Sequence, residues 1–116
     1  MLSSNSTTVK KKSETCEEQL RRMCKSIAEE IGNDSHDGEI DGASKFMDHV
    51  YDIEWITYQD KTYKAARLLV AGGGPNIWVN LQTNTVDGYW GCDKVTWGFV
   101  DEIGLDHYLE ELYACS

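Results

Sequence analysis

The sequence lacks the segments by which secreted and membrane-spanning proteins are recognised. No apolar run approaches the roughly 18 residues of a membrane-spanning helix, and no basic start leads into an apolar stretch as in a signal peptide. The four cysteines, Cys16, Cys24, Cys92 and Cys115, form no Cys-x-x-Cys pair. We therefore expect a cytoplasmic protein whose cysteines are reduced and mostly buried.

Catalytic signatures are also missing. The three histidines, His36, His49 and His107, lie far apart, and no Gly-x-Ser-x-Gly sequence occurs. The glycine run at 72–74 invites comparison with a phosphate-binding loop, but it is followed by Pro75 and an apolar, strand-like segment. A phosphate-binding loop needs Lys, Ser or Thr and the start of a helix at that point. The sequence therefore predicts no enzyme, no metal site and no cofactor.

Basic residues are scarce. The net charge is −9, from 11 Lys and Arg against 20 Asp and Glu. Three of the bases are Lys10–Lys12, and residues 1–12 contain no acid, so the other residues carry a net charge of −12. We expect residues 1–12 to form a flexible basic arm and residues 13–116 to form one domain. Such a domain repels nucleic acid and membranes and favours a protein partner with a basic surface.

Apolar residues recur at helical spacing in three segments, which predicts helices at about 14–31, 41–51 and 101–114. The first segment can begin with a Ser or Thr cap and ends at Gly32. The members of the three stripes are Cys16, Leu20, Met23, Cys24, Ile27 and Ile31, then Ala43, Phe46, Met47 and Val50, then Leu105, Tyr108, Leu109 and Leu112.

The segment between the first two helices resembles a calcium-binding EF-hand loop. With Asn33 at position 1, Asp37 falls at position 5, Gly38 at position 6 and Asp41 at position 9. Position 12, which should be a bidentate Glu, is Ser44. An ordinary acidic loop is the favoured interpretation, and calcium binding stays open.

Strand-like segments with short turns fill the middle of the chain, at about 53–58, 62–71, 76–82, 86–90 and 94–100. Turns this short join antiparallel neighbours. The predicted fold class is α+β, with an antiparallel meander of about five strands covered by an N-terminal helical pair and a C-terminal helix.

Two aromatic residues are candidates for partner binding. Trp78 shares a strand face with the polar Asn80 and Gln82, and Tyr89 also alternates with polar neighbours, which predicts that both lie on the outer face of the sheet. Exposed Trp and Tyr make good interface anchors, for a partner or for a second copy of the chain. The alternative is that these rings only shield the sheet.

The acidic C-terminal segment is the strongest candidate. No Lys or Arg follows Lys94, whereas five acids do: Asp101, Glu102, Asp106, Glu110 and Glu111. Three of them are four residues apart, so a helix over 101–114 would align them at about 6 Å per step. Phosphates of one nucleic-acid strand are about 3.4 Å apart along the axis, a comparable line of charge. A partner-binding acidic surface and an ordinary solvated helix face both fit.

Four segments carry a loose resemblance to known proteins: Asp52–Trp55 (DIEW), Tyr63–Val70 (YKAARLLV), Gly73–Val79 (GGPNIWV) and Gly88–Gly91 (GYWG). They resemble small acidic proteins of the anti-CRISPR or anti-restriction type, encoded by phages and conjugative elements of gut bacteria. The resemblance covers about residues 46–113. It implies a non-enzymatic inhibitor in the host cytoplasm that occupies the nucleic-acid or activation surface of a defence nuclease, such as a CRISPR effector. A homo-oligomeric or accessory binding module is the alternative.

Overall fold

The computed structural model describes residues 15–33 and 42–115. The basic arm at 1–12 and most of the candidate calcium loop, residues 34–41, lie outside these ranges. The described elements are α1 (Cys16–Ile31), α2 (Gly42–Met47), β1 (Asp52–Thr57), β2 (Tyr63–Ala71), β3 (Asn76–Asn80), β4 (Thr85–Trp90), β5 (Asp93–Gly98) and α3 (Leu105–Ala114).

The five strands form one antiparallel sheet in the order β1-β2-β3-β4-β5. Each strand pairs with its neighbour in the chain because the connecting turns are too short for a crossover. Each of these four turns contains a residue with positive φ, namely Lys61 at 73°, Gly73 at 92°, Asn84 at 57° and Gly91 at 62°. The predicted α+β meander is confirmed, with strand ends within a few residues of those expected.

Helix α1 starts with a capping box. The Thr15 hydroxyl accepts the backbone N–H of Glu18 at 3.1 Å, and the Glu18 carboxylate accepts the backbone N–H of Thr15 at 2.9 Å. Helix α2 is shorter than the predicted 41–51. After Met47, the backbone N–H groups of residues 48–50 donate to carbonyls three residues earlier, as in a 3₁₀-helix, and not four residues earlier. Tyr51 then donates its backbone N–H to the carbonyl of Leu69 at 2.8 Å, which leads the chain into the sheet.

Helix α3 begins at Leu105, not at residue 101. The Asp101 carboxylate accepts the backbone N–H groups of Leu105 at 2.8 Å and Asp106 at 2.9 Å, so Asp101 lies before the helix and caps it. Gly104, at the N-cap position, has a left-handed backbone with φ 72° and has no side chain that could cap. Capping by Asp101 therefore replaces the first predicted turn.

All three helices lie on one face of the sheet. Helix α1 packs against β4 and β5, α3 packs against β2, and α2 contacts α3. The core between them contains buried residues from every helix and from four strands: Leu20, Cys24, Ala28, Ile31, Ala43, Phe46, Ala66, Leu68, Ile77, Val79, Leu81, Val86, Val95, Ile103, Leu105 and Leu109. Leu112, expected in the α3 stripe, is 38% exposed.

The prediction that the cysteines are mostly buried is wrong. All four are free thiols, but only Cys24 is buried. Cys16 is the first residue of α1, Cys92 lies in the β4–β5 turn and Cys115 ends α3, so none of these three reaches the core. Cys24 alone faces the sheet from the middle of α1.

This difference predicts how fast each thiol reacts. Desolvation raises the pKa of Cys24 from an ordinary 9.0 to about 11, which lowers its thiolate fraction at pH 8 about 100-fold. Iodoacetamide at pH 8 should therefore label three cysteines of the native protein quickly, and Cys24 only after unfolding in urea. Intact-mass spectrometry counts the labels, and four labels at similar rates on the native protein would contradict this packing.

Candidate partner-binding surfaces

Two of the five predicted C-terminal acids serve the fold. Asp101 caps α3 through both carboxylate oxygens. Asp106 accepts the hydroxyl of Tyr63, on β2, at 2.7 Å in a half-buried position. These carboxylates are engaged within the chain, so fewer of their acceptor positions are left for a partner.

The contact between Tyr63 and Asp106 fixes α3 on the sheet. Tyr63 also packs against Trp55 and Tyr113, with ring centroids 6.2 and 6.0 Å away. Burial, the hydrogen bond to Asp106 and the nearby negative charges raise the pKa of Tyr63 far above its ordinary value. Because the phenol stays neutral, it remains a donor to the carboxylate across the ordinary pH range.

The other three acids, Glu102, Glu110 and Glu111, are exposed. The predicted continuous row of carboxylates is not formed, because Glu102 precedes the helix and Asp106 is bonded to Tyr63. Glu110 and Glu111 project from the middle of α3, and we call them the α3 acidic pair. His107 lies beside this pair, with its Nε2 3.2 Å from a Glu111 carboxylate oxygen.

The structure places Trp78 and Tyr89 on the outer face of the sheet, as their alternation predicted. Trp78 is half-buried between buried neighbours on β3, and the Arg67 guanidinium lies 4.3 Å from the centre of its ring. Arg67 also bonds Glu54 at 2.6 Å. Tyr89 is 36% exposed, with the Lys94 ammonium 5.8 Å from its ring centre. Both aromatic rings therefore already have cationic partners within the chain.

A third surface was not predicted. The end of α1 meets the β3–β4 turn and the end of β5 around an open groove of about 970 Å³. We call it the α1–β5 groove; its lining is Ala28, Glu29, Gly32, Asn33, Thr83, Asn84, Trp97, Gly98, Phe99, Val100 and Glu102. The backbone N–H of Glu102 donates to the carbonyl of Ile31 at 3.2 Å, which brings the segment after β5 against the end of α1.

One sequence signal pointed to this groove. Glu29 and Glu30 occupy the last turn of α1, which contains no basic residue. The negative end of a helix dipole favours cations, so acids there lower the stability of the free helix.

Comparisons of the chain with protein-family models, with curated proteins and with solved structures find no match. In the described ranges, no group of three or more His, Cys, Asp or Glu side chains could hold a metal ion. None of the described helices has the length and apolar character needed to cross a membrane.

Proposed function

We propose that this protein is a non-enzymatic inhibitor that binds a basic surface of a bacterial defence nuclease, such as a CRISPR effector. The observation that carries the proposal is the α3 acidic pair, which is exposed on a segment without Lys or Arg after Lys94. Nucleases must keep a basic surface for their nucleic acid, and an acidic domain is attracted to that surface. The resemblance of residues 46–113 to anti-CRISPR and anti-restriction proteins supports this class of target.

Such an inhibitor can act as an acidic mimic of nucleic acid or as a steric block, and steric block has the better support. A nucleic-acid mimic needs an extended line of free carboxylates, whereas Asp101 and Asp106 are bonded within the fold. Two neighbouring glutamates on one short helix can orient the domain on a basic surface without tracing a phosphate backbone. The rest of the domain then keeps the nucleic acid away from that surface, or prevents a rearrangement that would activate the nuclease.

Self-association through the outer face of the sheet remains the second hypothesis. No described helix covers that face, and Leu69 and Trp78 leave part of their apolar surface there. Against it, Glu54, Arg67 and Lys94 intersperse charge among these side chains, and Trp78 is already stacked with Arg67. The outer face of the sheet thus has fewer aromatic side chains free to contact a second copy than the sequence indicates.

The test is DNA cleavage by a panel of reconstituted CRISPR effectors, each with its guide, in the presence of increasing amounts of the protein. For an effector that is inhibited, the double variant Glu110→Lys/Glu111→Lys should raise the half-inhibitory concentration at least about tenfold, because each reversal places like charges in contact. Asp101 and Asp106 are left unchanged, so that the variant keeps its fold.

The matched control is Glu17→Lys/Asp48→Lys. It makes the same change in net charge at two exposed acids outside α3, one on α1 and one just after α2. Inhibition by this control should stay within about threefold of the unmodified protein, because exposed charges more than a Debye length of about 8 Å apart are largely screened at physiological salt. Equal losses in both variants, or no inhibition of any effector tested, would overturn the proposal.

A further inference from the structure

We infer that the α1–β5 groove docks a segment of the partner protein that carries an apolar side chain next to Lys or Arg. The inference rests on the proposed function for the kind of partner, and it adds a second contact surface with a defined chemistry. A peptide segment is the expected occupant, because the groove combines an apolar surface with two acids that have no ion pair among the described residues.

The apolar part of the groove comes from the end of β5 and the residue after it. Trp97 and Phe99 are half-buried, and Val100 is 65% exposed. Phe99 is held in place by its backbone N–H, which donates to the carbonyl of Asn84 at 3.0 Å. The backbone that carries this aromatic ring is therefore fixed before any partner arrives, which reduces the backbone entropy lost on binding.

The acidic part of the groove comes from Glu29 and Glu102. Both side chains are exposed, and within residues 15–33 and 42–115 neither has an ion pair or a side-chain hydrogen bond. Among the residues that the structure describes, no Lys or Arg lines the groove. The carbonyl end of the α1 dipole adds negative potential at the same place.

These observations select the occupant by charge complementarity. A phosphate or nucleic-acid segment would be repelled by the two carboxylates. A bare metal ion would lack ligands, since the described residues form no group of three or more metal-ligating side chains. Lys or Arg beside an aliphatic or aromatic residue satisfies both parts, because its charge meets the acids and its neighbour covers Trp97 and Val100.

The probe is an amidated ten-residue peptide of alternating Leu and Arg, titrated into the ¹⁵N-labelled full chain at 150 mM salt. Two companion peptides replace Leu by Ser, which keeps only the charge, or Arg by Glu, which keeps only the apolar residues. With the Leu-Arg peptide alone, we expect saturable amide shifts at the end of α1, the β3–β4 turn and residues 98–100. Equal shifts with the Ser-Arg peptide, or shifts spread over all acidic surfaces, would overturn the inference.

Two double variants with the same charge change separate this groove from α3. Glu29→Lys/Glu102→Lys should weaken the Leu-Arg peptide at least about tenfold, whereas Glu110→Lys/Glu111→Lys should leave its affinity within about threefold. Val100→Ser should weaken the peptide without changing any charge. Lys at position 29 suits the helix terminus, so thermal melts should show that the groove variant is folded.

The same variants distinguish the two proposals. If the peptide binds all variants equally while Glu110→Lys/Glu111→Lys still loses nuclease inhibition, the groove inference fails and the proposed function stands. If only the groove variant loses the peptide while no effector is inhibited by any form, the groove is supported as a docking site and the proposed function fails.

Discussion

Replacing Gly88 by alanine should lower the free energy of unfolding by about 1–3 kcal/mol, the usual cost of inserting atoms into a packed core. Gly88 lies on β4 directly beneath α1. A Cβ atom there would be 2.7 Å from Sγ of Cys24 and 2.8 Å from Cδ1 of Leu20. Both side chains are fully buried, so they cannot move away without lifting α1 from the sheet. Urea unfolding followed by tryptophan fluorescence measures the change.

Gly98→Ala is the matched control, because Gly98 is likewise a strand glycine of this sheet, the last residue of β5. The nearest atom to a Cβ at Gly98 is the carbonyl oxygen of Asn84 at 4.0 Å. Alanine at that position should change stability by less than about 1 kcal/mol, and it can stabilise by restricting the unfolded chain. Equal losses at the two glycines would contradict the close approach of α1 to β4.

A double variant locates the steric conflict. Cys24→Ala removes the sulfur atom that a Cβ at Gly88 would meet, at a modest cost of its own. Combined with Gly88→Ala, it should cost less than the sum of the two single changes, with a coupling of about 0.5–3 kcal/mol. If the costs of the two single changes simply add in the double variant, the steric conflict at position 88 does not involve Cys24.

The sequence was sufficient for the order of the elements, because the apolar period and the short turns are local properties. The stripe containing Leu20, Cys24 and Ile31 and the alternation around Trp78 both have the predicted orientation. The need for glycine at position 88 could not be read in the same way. It depends on where α1 crosses β4, and this crossing point is a tertiary property.

The candidate site was harder to predict than the fold. Five acids after Lys94 are evident in the sequence, but their partners are not. Asp101 turns back to cap α3, and Asp106 meets Tyr63, 43 residues earlier in the chain. The approach of Glu29 to the segment of Glu102 likewise depends on the contact between the end of α1 and the end of β5. Long-range contacts of this kind leave no periodic signal in the sequence.

The α3 acidic pair depends on how α3 is seated, and one pair of substitutions tests that seating. Leu109 is fully buried in the core, whereas Leu112, less than one turn later, is 38% exposed. Leu109→Ala should lower the free energy of unfolding by about 2–5 kcal/mol, through lost burial and the cavity left behind. Leu112→Ala should cost less, by at least about 1 kcal/mol, because Leu112 is 38% exposed and loses less buried apolar surface.

Because both changes are Leu to Ala on the same helix, their helix propensities cancel and the difference reports burial alone. Urea unfolding of the two variants at pH 7 measures it. With Leu109 facing the sheet, the next two residues, Glu110 and Glu111, must turn outward, since successive helical residues are rotated by about 100°. A larger loss at Leu112 than at Leu109 would mean that α3 is rotated on the sheet. The acidic pair would then point elsewhere, and the inhibitor hypothesis would lose the surface on which it depends.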